Sequence, residues 1–387
     1  MSQIDDLIAQ LCPGGVPVKS LAQIGQLVRG NGLPKTDFTE TGVGAIHYGQ
    51  IYTYYGTWAT ETISFVARET AARLAKVDPG DVIITNTSEN LEDVGKAVAW
   101  LGSEQIVTGG HATVLKHSEN PKFIAYWLQT PEFVTQKTRL ATGTKVIDVS
   151  ARALEKVKIP VPPPAVQDEI VSILDKMSRL QAELQAELQT RSRQYAHYRH
   201  SLLTFPGGAR WIPLGELATI GTGSHDTQDA IPDGDYVFYA RGREQLRLDS
   251  FDFDEQAIIT AGDGVGVGKV FHFASGKYAL HQRAYRIVPN VGVDARYLYH
   301  YLVADFAKYL EQTSVHASVT SLRRPMFLKY PVAVPPLEEQ ERIAGLLDKF
   351  DALTTDLSSG LPAEINARRR QYEYYRDRLL TFEETVA

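Results

Sequence analysis

The sequence predicts an α+β protein with a pseudo-twofold internal repeat, in which two α/β modules are separated by two long helices packed as an antiparallel coiled coil. The segment QYAHYRHSLLTF at residues 194–205 returns as QYEYYRDRLLTF at residues 371–382, with eight of twelve positions identical. A second repeat lies upstream of each copy, at residues 159–180 and 332–353. Internal repeats of this kind decide the architecture of a chain. Two related halves are therefore expected.

The order of the segments predicts five parts. Residues 1–12 look like the end of a third, truncated helix, because they run into a Pro-Gly-Gly sequence that also follows residue 205. The predicted parts are an N-terminal helix, a first module, a central spacer helix, a second module and a C-terminal spacer helix, at residues 1–12, 13–158, 159–205, 206–331 and 332–387.

Both repeated segments have the pattern of long helices. Prolines lead into each one and acidic residues follow, as at the first turn of a helix. Apolar residues then recur at steps of three and four, which places them on one face and predicts a packing seam. The second copy contains four extra residues, about one helical turn, so its seam keeps the same face. Gly360 and Pro362 predict a break or kink near this insertion.

The two modules have the pattern of mixed α/β domains. GDVIIT at residues 80–85 parallels EQAIIT at 255–260, and both apolar runs are typical of buried strands. Residues 121–133 and 295–306 are amphipathic and predict one short helix in each module. A chain of this length can bury two separate cores.

The composition limits the possible function classes. The 387 residues carry a net charge of −6, which argues mildly against a nucleic-acid binder. Each module is balanced, however, with 15 basic against 14 acidic residues in the first and 13 against 14 in the second. A single cysteine excludes an internal disulfide, and no apolar run is long enough for a membrane span. We therefore expect a cytoplasmic protein.

The sequence lacks the motifs of the catalytic chemistries that act on DNA. None of the sixteen lysines has an acid two residues earlier, as a metal-dependent nuclease motif requires. An amino-methyltransferase needs an Asn/Asp-Pro-Pro-aromatic motif, and the chain has none. The glycine-rich stretch at 261–271 fails as a phosphate-binding Walker A loop, because Asp263 and Val270 occupy required positions. The chain is expected to have no catalytic residue, cofactor or metal of its own.

The paired motifs resemble those of the specificity subunits of type I DNA restriction–modification systems. Both helix starts combine prolines with Gln167 or Gln340 and with a Leu-Asp-Lys triplet, at 174–176 and 347–349. Both helix ends read QYxxYRxxLLTF, and two dissimilar modules of similar frame lie between. The resemblance covers essentially the whole chain.

This resemblance implies a function and a set of partners. Each module is then a target recognition domain that reads one half of a bipartite double-stranded DNA site, and the helices act as a spacer between the two. The helices would dock two adenine-N6 methyltransferase subunits, which use S-adenosylmethionine. Two restriction subunits can join, and ATP and Mg would be used only there.

Candidate DNA-binding residues were chosen because base readout needs side chains with paired donors or acceptors on loops. In the first module they are His47, Gln50, Tyr52, Tyr54, Asn86, Asn90 and Lys96. In the second module they are Arg241, Arg243, Gln245, Arg247, Lys269, His281, Gln282, Arg283, Arg323 and Arg324. The alternatives are exposed hairpins, plain turns and, for the last two arginines, a cap at the junction of module and helix.

The helix ends supply candidates for partner binding. Tyr and Arg on an otherwise apolar seam suggest contact with a partner protein. These residues are Tyr195, Tyr198, Arg199, Tyr372, Tyr375 and Arg376. His197 and His200 have the spacing of a metal pair, but no third ligand is in view and solvent or partner contact is preferred.

Two other functions remain open from the sequence. The chain could be a coiled-coil scaffold that binds proteins only, or a fragment of a fused methylase–nuclease. Divergent modules on a repeated frame argue against a scaffold, and the missing motifs argue against an enzyme. The bases recognised and the spacer length are not predicted.

Overall fold

The computed structural model describes residues 2–205, 209–313, 324–355 and 360–383. It divides into two units, the first formed by residues 1–183 and 366–387 and the second by residues 184–365. Each unit thus contains one module together with parts of the repeated helices. The helices are α1 Ser2–Leu11, α2 Leu21–Ile24, α3 Tyr48–Thr53, α4 Arg68–Arg73, α5 Pro121–Trp127, α6 Pro131–Leu140, α7 Ala151–Leu154, α8 Pro164–Leu202, α9 Leu214–Leu217, α10 Ala295–Thr313, α11 Arg324–Leu328, α12 Leu337–Thr355 and α13 Leu361–Leu379.

The first module contains two five-stranded sheets and two small strand pairs. Its strands are β1 Val18–Ser20, β2 Gly25–Arg29, β3 Phe38–Thr39, β4 Val43–Ile46, β5 Trp58–Ala59, β6 Ser64–Val66, β7 Ala75–Val77, β8 Val82–Thr85, β9 Thr87–Ser88, β10 Ala97–Trp100, β11 Ile106–Thr108, β12 Ala112–His117, β13 Ile147–Asp148 and β14 Lys158–Pro160. One sheet has the order β2-β12-β8-β10-β5 and the other β3-β6-β4-β11-β7. Strand β8 is buried along its whole length, as its continuous apolar run predicts.

The second module contains one six-stranded sheet and one strand pair. Its strands are β15 Arg210–Pro213, β16 Ala218–Thr222, β17 Tyr236–Tyr239, β18 Leu246–Leu248, β19 Phe253–Ala261, β20 Phe271–Leu280, β21 Ala284–Pro289 and β22 Pro331–Val334. The sheet has the order β16-β21-β19-β20-β17-β18. Its long strands β19 and β20 pair antiparallel from Phe253↔Tyr278 to Thr260↔Phe271.

The two modules share a frame, as their sequences predict. The strand order β2-β12-β8 of the first corresponds to β16-β21-β19 of the second, and all four of these pairings are antiparallel. Each module is also closed by a short antiparallel pair, β1 with β14 and β15 with β22. Thr85 and Thr260, matched in sequence, are both fully buried, and each hydroxyl donates to a backbone carbonyl. The two modules therefore share this buried threonine hydrogen bond as well as their strand order.

The repeated glutamines attach each module to its helix. The side-chain oxygen of Gln167 accepts the backbone N–H of Asn120 at 2.9 Å, and its amide donates to the carbonyl of the proline five residues earlier at 2.8 Å. Gln340 does the same with the N–H of Asp294 and its own proline carbonyl, both at 2.9 Å. Both glutamines are 1% exposed, and their partners Asn120 and Asp294 cap α5 and α10.

The repeated aspartates form a second attachment. In the first unit the carboxylate of Asp175 on α8 accepts from the Lys122 ammonium at 2.6 Å and from the Tyr126 hydroxyl at 2.7 Å. Both donors lie on α5, one helical turn apart, so they reach the same carboxylate. Burial raises the pKa of Tyr126, and the neighbouring carboxylate adds to that rise.

The second unit repeats this attachment with different donors. The carboxylate of Asp348 on α12 accepts from the Arg296 guanidinium at 2.8 Å and from the fully buried His300 ring at 2.6 Å. Burial alone would raise the pKa of Asp348, but these two donors lower it below its usual value. We call Gln167, Asp175, Gln340 and Asp348 the anchor residues.

The repeated helices pack within each unit through matching positions. In the first unit Tyr372 of α13 packs against the hydrophobic core that contains Ile170 and Leu174 of α8. In the second unit Tyr195, the repeat counterpart of Tyr372, stacks on Phe350 of α12 with ring centroids 6.2 Å apart, and Tyr198 also stacks there at 5.3 Å. These contacts are consistent with the predicted seam, and a coiled-coil pairing stays a prediction.

One predicted detail of the helices is found in the structure, and another needs correction. The C-terminal copy is not one helix, because α12 ends at Thr355 and α13 begins at Leu361 with Pro362 in its first turn. This is the break that Gly360 and Pro362 predict. Acidic residues fill the first turn of α12, as expected, but α8 begins at Pro164 without an acid in its first turn. The N-terminal helix α1 is present and places Ile4 in the core of the first unit.

Candidate nucleic-acid interface

Three loops of the first module meet at one surface, which we call the first loop surface: residues 47–56, 86–95 and 109–111. The hydroxyl of Tyr52 donates to the carbonyl of Thr87 at 2.5 Å. The Thr87 hydroxyl lies 2.8 Å from Nδ1 of His111, and the ring of Tyr48 lies 4.7 Å from the ring of His111. The side chains that join the three loops are therefore aromatic or neutral.

Four loops of the second module meet at a corresponding surface, which we call the second loop surface: residues 223–229, 240–247, 262–268 and 281–283. The carboxylate of Asp263 pairs with Arg241 at 2.9 Å and with Arg283 at 3.1 Å. Burial would raise the pKa of Asp263, but the two guanidinium groups hold it below its usual value. Gln282 donates to Asp226 at 3.1 Å. Charged pairs thus join these loops.

Several predicted DNA-binding residues of the first module serve the local fold instead. His47 is 7% exposed and caps α3, where its Nδ1 accepts the N–H of Gly49 and its own N–H donates to Gln50. Burial lowers the pKa of His47, and the nearby charges of Lys35 and His111 lower it further. The His47 and Gln50 side chains are thus capping groups, and their sequence signal was that of a helix start.

The predicted asparagines also hold turns in place. Asn86 is fully buried, donates to the carbonyl of Val149 at 2.7 Å and accepts from the hydroxyl of Thr113 at 2.8 Å. The buried amide is not accessible to a base in this structure, which favours the turn, and a role of Asn86 in reading adenine stays a prediction. Asn90 pairs with Asp93, which also pairs with Lys96 at 2.6 Å. The alternative of a plain turn holds for this segment.

Tyr54 keeps an exposed position among the predicted residues of the first module. Its side chain is 63% exposed, with the Tyr55 ring 5.1 Å away, whereas Tyr52 is half-buried and hydrogen-bonded. An exposed aromatic ring next to the first loop surface can stack on a base or lie along the sugar–phosphate backbone.

In the second module, three of the predicted DNA-binding residues form hydrogen bonds with other groups of this chain. Arg247 donates to the carbonyls of Gly234 and Asp235 at 2.5 and 3.0 Å. His281 is 1% exposed and its Nδ1 accepts the N–H of Arg283, which fixes the turn between β20 and β21. Arg324 donates to the carbonyl of Ile220, in line with the capping alternative, and Arg323 lies outside the described residues.

The remaining predicted residues of the second module are accessible. Arg243, Gln245, Gln282 and Arg283 of the second loop surface are exposed, and so is Lys269, which follows it in sequence. Lys269 follows a glycine-rich turn in which Gly264 and Gly268 have φ of +77° and +69°, a conformation that favours glycine. This turn agrees with the interpretation of the glycines as turn residues, and contact with phosphate stays a prediction.

Sequence reasoning missed Asp263, Thr87 and His111. Acidic residues are not expected at a DNA surface, so in the sequence Asp263 indicates only that the glycine-rich stretch is not a Walker A loop. Its partners come from residues about twenty positions away on either side in sequence, and no local pattern marks such an arrangement. Their position in the repeat could have identified two of the residues at these surfaces, because His111 and Arg283 each lie in the turn before a repeated strand, β12 or β21.

The predicted partner-binding residues of the helices are only partly accessible. Tyr195 is half-buried against Phe350, and burial raises its pKa to about 12. Arg199 lies over the ring of Tyr195 at 5.2 Å, and Tyr198 is 47% exposed. The second copy behaves alike, because Arg376 lies over the half-buried Tyr372 at 5.9 Å and Tyr375 packs against the core of the first unit. A docking role for these residues stays a prediction.

Comparison with known proteins gives a consistent result. The model of the family "Type I restriction modification DNA specificity domain" matches residues 13–190 and 209–367. The specificity subunit of the EcoR124I/EcoR124II type I restriction enzyme of Escherichia coli is 32% identical over 67% of this chain and 70% of its own. A type I restriction enzyme specificity subunit of Haemophilus influenzae, itself assigned by inference, is 27% identical over 73% of this chain and 76% of its own.

Two solved structures share the fold. The specificity subunit of a type I restriction–modification system from M. genitalium aligns with a TM-score of 0.60 at 14% identity, over 94% of this chain and 96% of its own. A chain from a study of complex assembly and conformational transition in a type I restriction–modification system aligns with a TM-score of 0.62 at 14% identity, over 95% and 97%. Within the described residues, no helix has the length and hydrophobicity to span a membrane.

Proposed function

Because the chain belongs to the family of type I restriction–modification DNA specificity domains, we propose that it is the sequence-reading, non-catalytic subunit of such a complex. Each module binds one half-site of a bipartite double-stranded DNA target through its loop surface. The helices separate the modules and bind two adenine-N6 methyltransferase subunits, through which two restriction subunits can join.

The chemistry then belongs to the partners. S-adenosylmethionine binds in the methyltransferase subunits, and ATP and Mg act in the restriction subunits. This chain supplies side chains that approach base edges and phosphates. The accessible Arg243, Gln245, Lys269 and Arg283 of the second module suit such contacts, because arginine and glutamine pair with base edges and lysine with phosphate.

One observation carries the proposal more than any other. Gln167 and Gln340 attach the two modules through the same hydrogen bonds, whereas the first and second loop surfaces share almost none of their side chains. A protein that reads two different short sequences needs this combination of a constant attachment and variable loops. A scaffold for a single partner does not need it.

The test is methylation mapping with the complete complex. The chain is co-expressed with the methyltransferase encoded beside it, and methylated adenines are located by sequencing. We expect a bipartite motif that appears only when both proteins are present. Replacing residues 206–331 with the module of a related chain should then change one half-site and leave the other unchanged.

Other outcomes of this experiment contradict the proposal. A stable complex without methylation indicates a scaffold, and methylation by this chain alone indicates an overlooked active site. Inserting four residues near Met177–Leu188 is a second test, because one extra helical turn should change the preferred spacer length. An unchanged spacer contradicts the role of the helices as a spacer.

A further inference from the structure

The second loop surface contains an acid where DNA binding alone calls for cations. Asp263 lies on the turn after β19 and holds Arg241, which follows β17, and Arg283, which precedes β21. One carboxylate oxygen accepts from each guanidinium, at 2.9 and 3.1 Å. The side chains of Arg241 and Arg283 remain 40% and 62% exposed. Both guanidinium groups are thus oriented and still accessible.

An arginine held by a carboxylate is suited to a base rather than to a phosphate. The carboxylate fixes the plane of the guanidinium fork, so less rotational freedom is lost when the fork forms two hydrogen bonds. The same carboxylate repels an approaching phosphate but has little effect on a neutral base edge. Guanine presents two adjacent acceptors, O6 and N7, in the major groove, and these match the arginine fork.

We propose that Arg283 reads a guanine in the half-site of the second module, with Asp263 as its positioning residue. Arg283 is the reader because it is the more exposed of the two arginines, and its backbone N–H is also fixed by His281. Arg241 neutralises the second carboxylate oxygen, so the three side chains together carry a single positive charge. This inference rests on the proposed function and names a base within the target.

Two neighbouring cations offer a contrast within the same module. Arg243 and Lys269 are exposed, and neither forms an ion pair with a carboxylate of the residues that the structure describes. Such isolated cations attract phosphate without a competing acid. In the second module, base reading by Arg283 is therefore separate from phosphate contacts by Arg243 and Lys269.

The test compares variants in the intact complex with the methyltransferase, on a library of targets that vary the second half-site. Arg283→Lys keeps the charge but loses the fork, and Asp263→Asn keeps the shape but loses the carboxylate charge. We expect the preference for guanine at one position to fall about 10- to 100-fold in Arg283→Lys, with the other positions unchanged. Asp263→Asn should lower the same preference by a smaller factor. Lys269→Ala should weaken binding to all targets about equally and reduce the salt dependence.

Arg73→Ala is the matched control. Arg73 pairs with Asp37 in the first module at 2.7 Å, with side-chain exposures of 62% and 23%, against 62% and 25% for Arg283 and Asp263. It should leave the second half-site unchanged. A half-site without guanine, or a uniform loss of affinity in Arg283→Lys, overturns the inference. If the wild-type complex yields no bipartite motif, the proposed function itself fails.

Discussion

The two modules differ most where their loops meet and least where they join the helices. The loops of the first loop surface are joined by aromatic and neutral side chains, including Thr87 and His111, whereas those of the second are joined through the carboxylate of Asp263. Underneath, Gln167 and Gln340 make the same hydrogen bonds to the first turn of a module helix. The difference separates the contacts that hold the repeated frame from those that differ between the modules.

The contacts of the aspartate anchors are less alike in the two units than those of the glutamines, but more alike than those of the loop surfaces. Asp175 and Asp348 are identical in the repeat, yet one accepts from a lysine and a tyrosine and the other from an arginine and a histidine. The acceptor is constant while the donors differ, and the donors keep only their spacing of one helical turn. Their geometry is thus preserved although their chemistry is not.

Removing the glutamine anchors should have the largest effect. Gln167→Met and Gln340→Met keep the side-chain volume but leave a buried backbone N–H and a proline carbonyl without their partner. Each should lower the free energy of unfolding by about 2–3 kcal/mol, by similar amounts in the two units. Chemical denaturation measures the loss, and hydrogen exchange should show it in the first turns of α5 and α10. Gln185→Met, at an exposed position of α8, is the control and should change stability by less than about 0.5 kcal/mol.

A large difference in the loss of stability between Gln167→Met and Gln340→Met would contradict the equivalence of the two attachments. It would mean that one module depends on this contact and the other does not, despite equal burial.

Neutralising the aspartate anchors should have an intermediate effect. Asp175→Asn and Asp348→Asn keep an acceptor oxygen but lose the charge that strengthens two hydrogen bonds in each unit. The carboxylates are 31% and 37% exposed, so solvent screening limits the cost to about 1–2 kcal/mol each. Denaturation of the single and double variants measures it, and the two losses should add because the sites share no partner. Strong non-additivity would contradict independent anchors.

The pH dependence should distinguish the two aspartate anchors. Burial lowers the pKa of His300, and Arg296 adds to this, although Asp348 and Asp351 oppose it. The folded protein therefore binds fewer protons at His300 than the unfolded chain, whose imidazole has a pKa of about 6.5. Stability should fall as the pH drops below that value. His300→Gln keeps a donor for Asp348 but does not titrate, so its stability should fall less steeply between about pH 7 and 5.

Tyr126→Phe is the control for the histidine variant. It removes a donor from the corresponding anchor in the first unit, but tyrosine does not titrate in this range. Its denaturation curves should shift at every pH and keep the slope of the wild type. An unchanged slope in His300→Gln would show that other groups control the acid sensitivity.

Changes at the first loop surface should have the smallest effect on stability. His111 is exposed and touches Thr87 and Tyr48, so His111→Ala should change the free energy of unfolding by less than about 0.5 kcal/mol. The same variant should alter the preferred bases of the first half-site only, as methylation mapping can show. A change in the second half-site would mean that the two loop surfaces are not independent.

The sequence predicted the frame better than the loops, for a physical reason. Repeated apolar spacing and repeated glutamines reflect packing that both halves share, so the helices and the short helix of each module could be found. Polarity alone does not distinguish an exposed side chain that contacts a base from a capping or buried polar group. For this reason the sequence predicts DNA contacts for His47, which caps a helix, and for Asn86, which is buried. The sequence does not mark Asp263 as a positioning residue, because its partners are distant in sequence and an acid is not expected at a surface that binds DNA.

The anchor residues also have a genetic consequence. They lie within the two similar stretches of sequence at residues 159–180 and 332–353, whereas the first loop surface lies before the first stretch and the second loop surface lies between the two. A recombination event within those stretches exchanges one module and leaves the resident glutamine and aspartate in place. The incoming module needs to bring only a backbone N–H at a helix start and two donors one turn apart. Under the proposed function, a new target can thus be acquired by exchange of a whole module, without matching changes elsewhere in the gene.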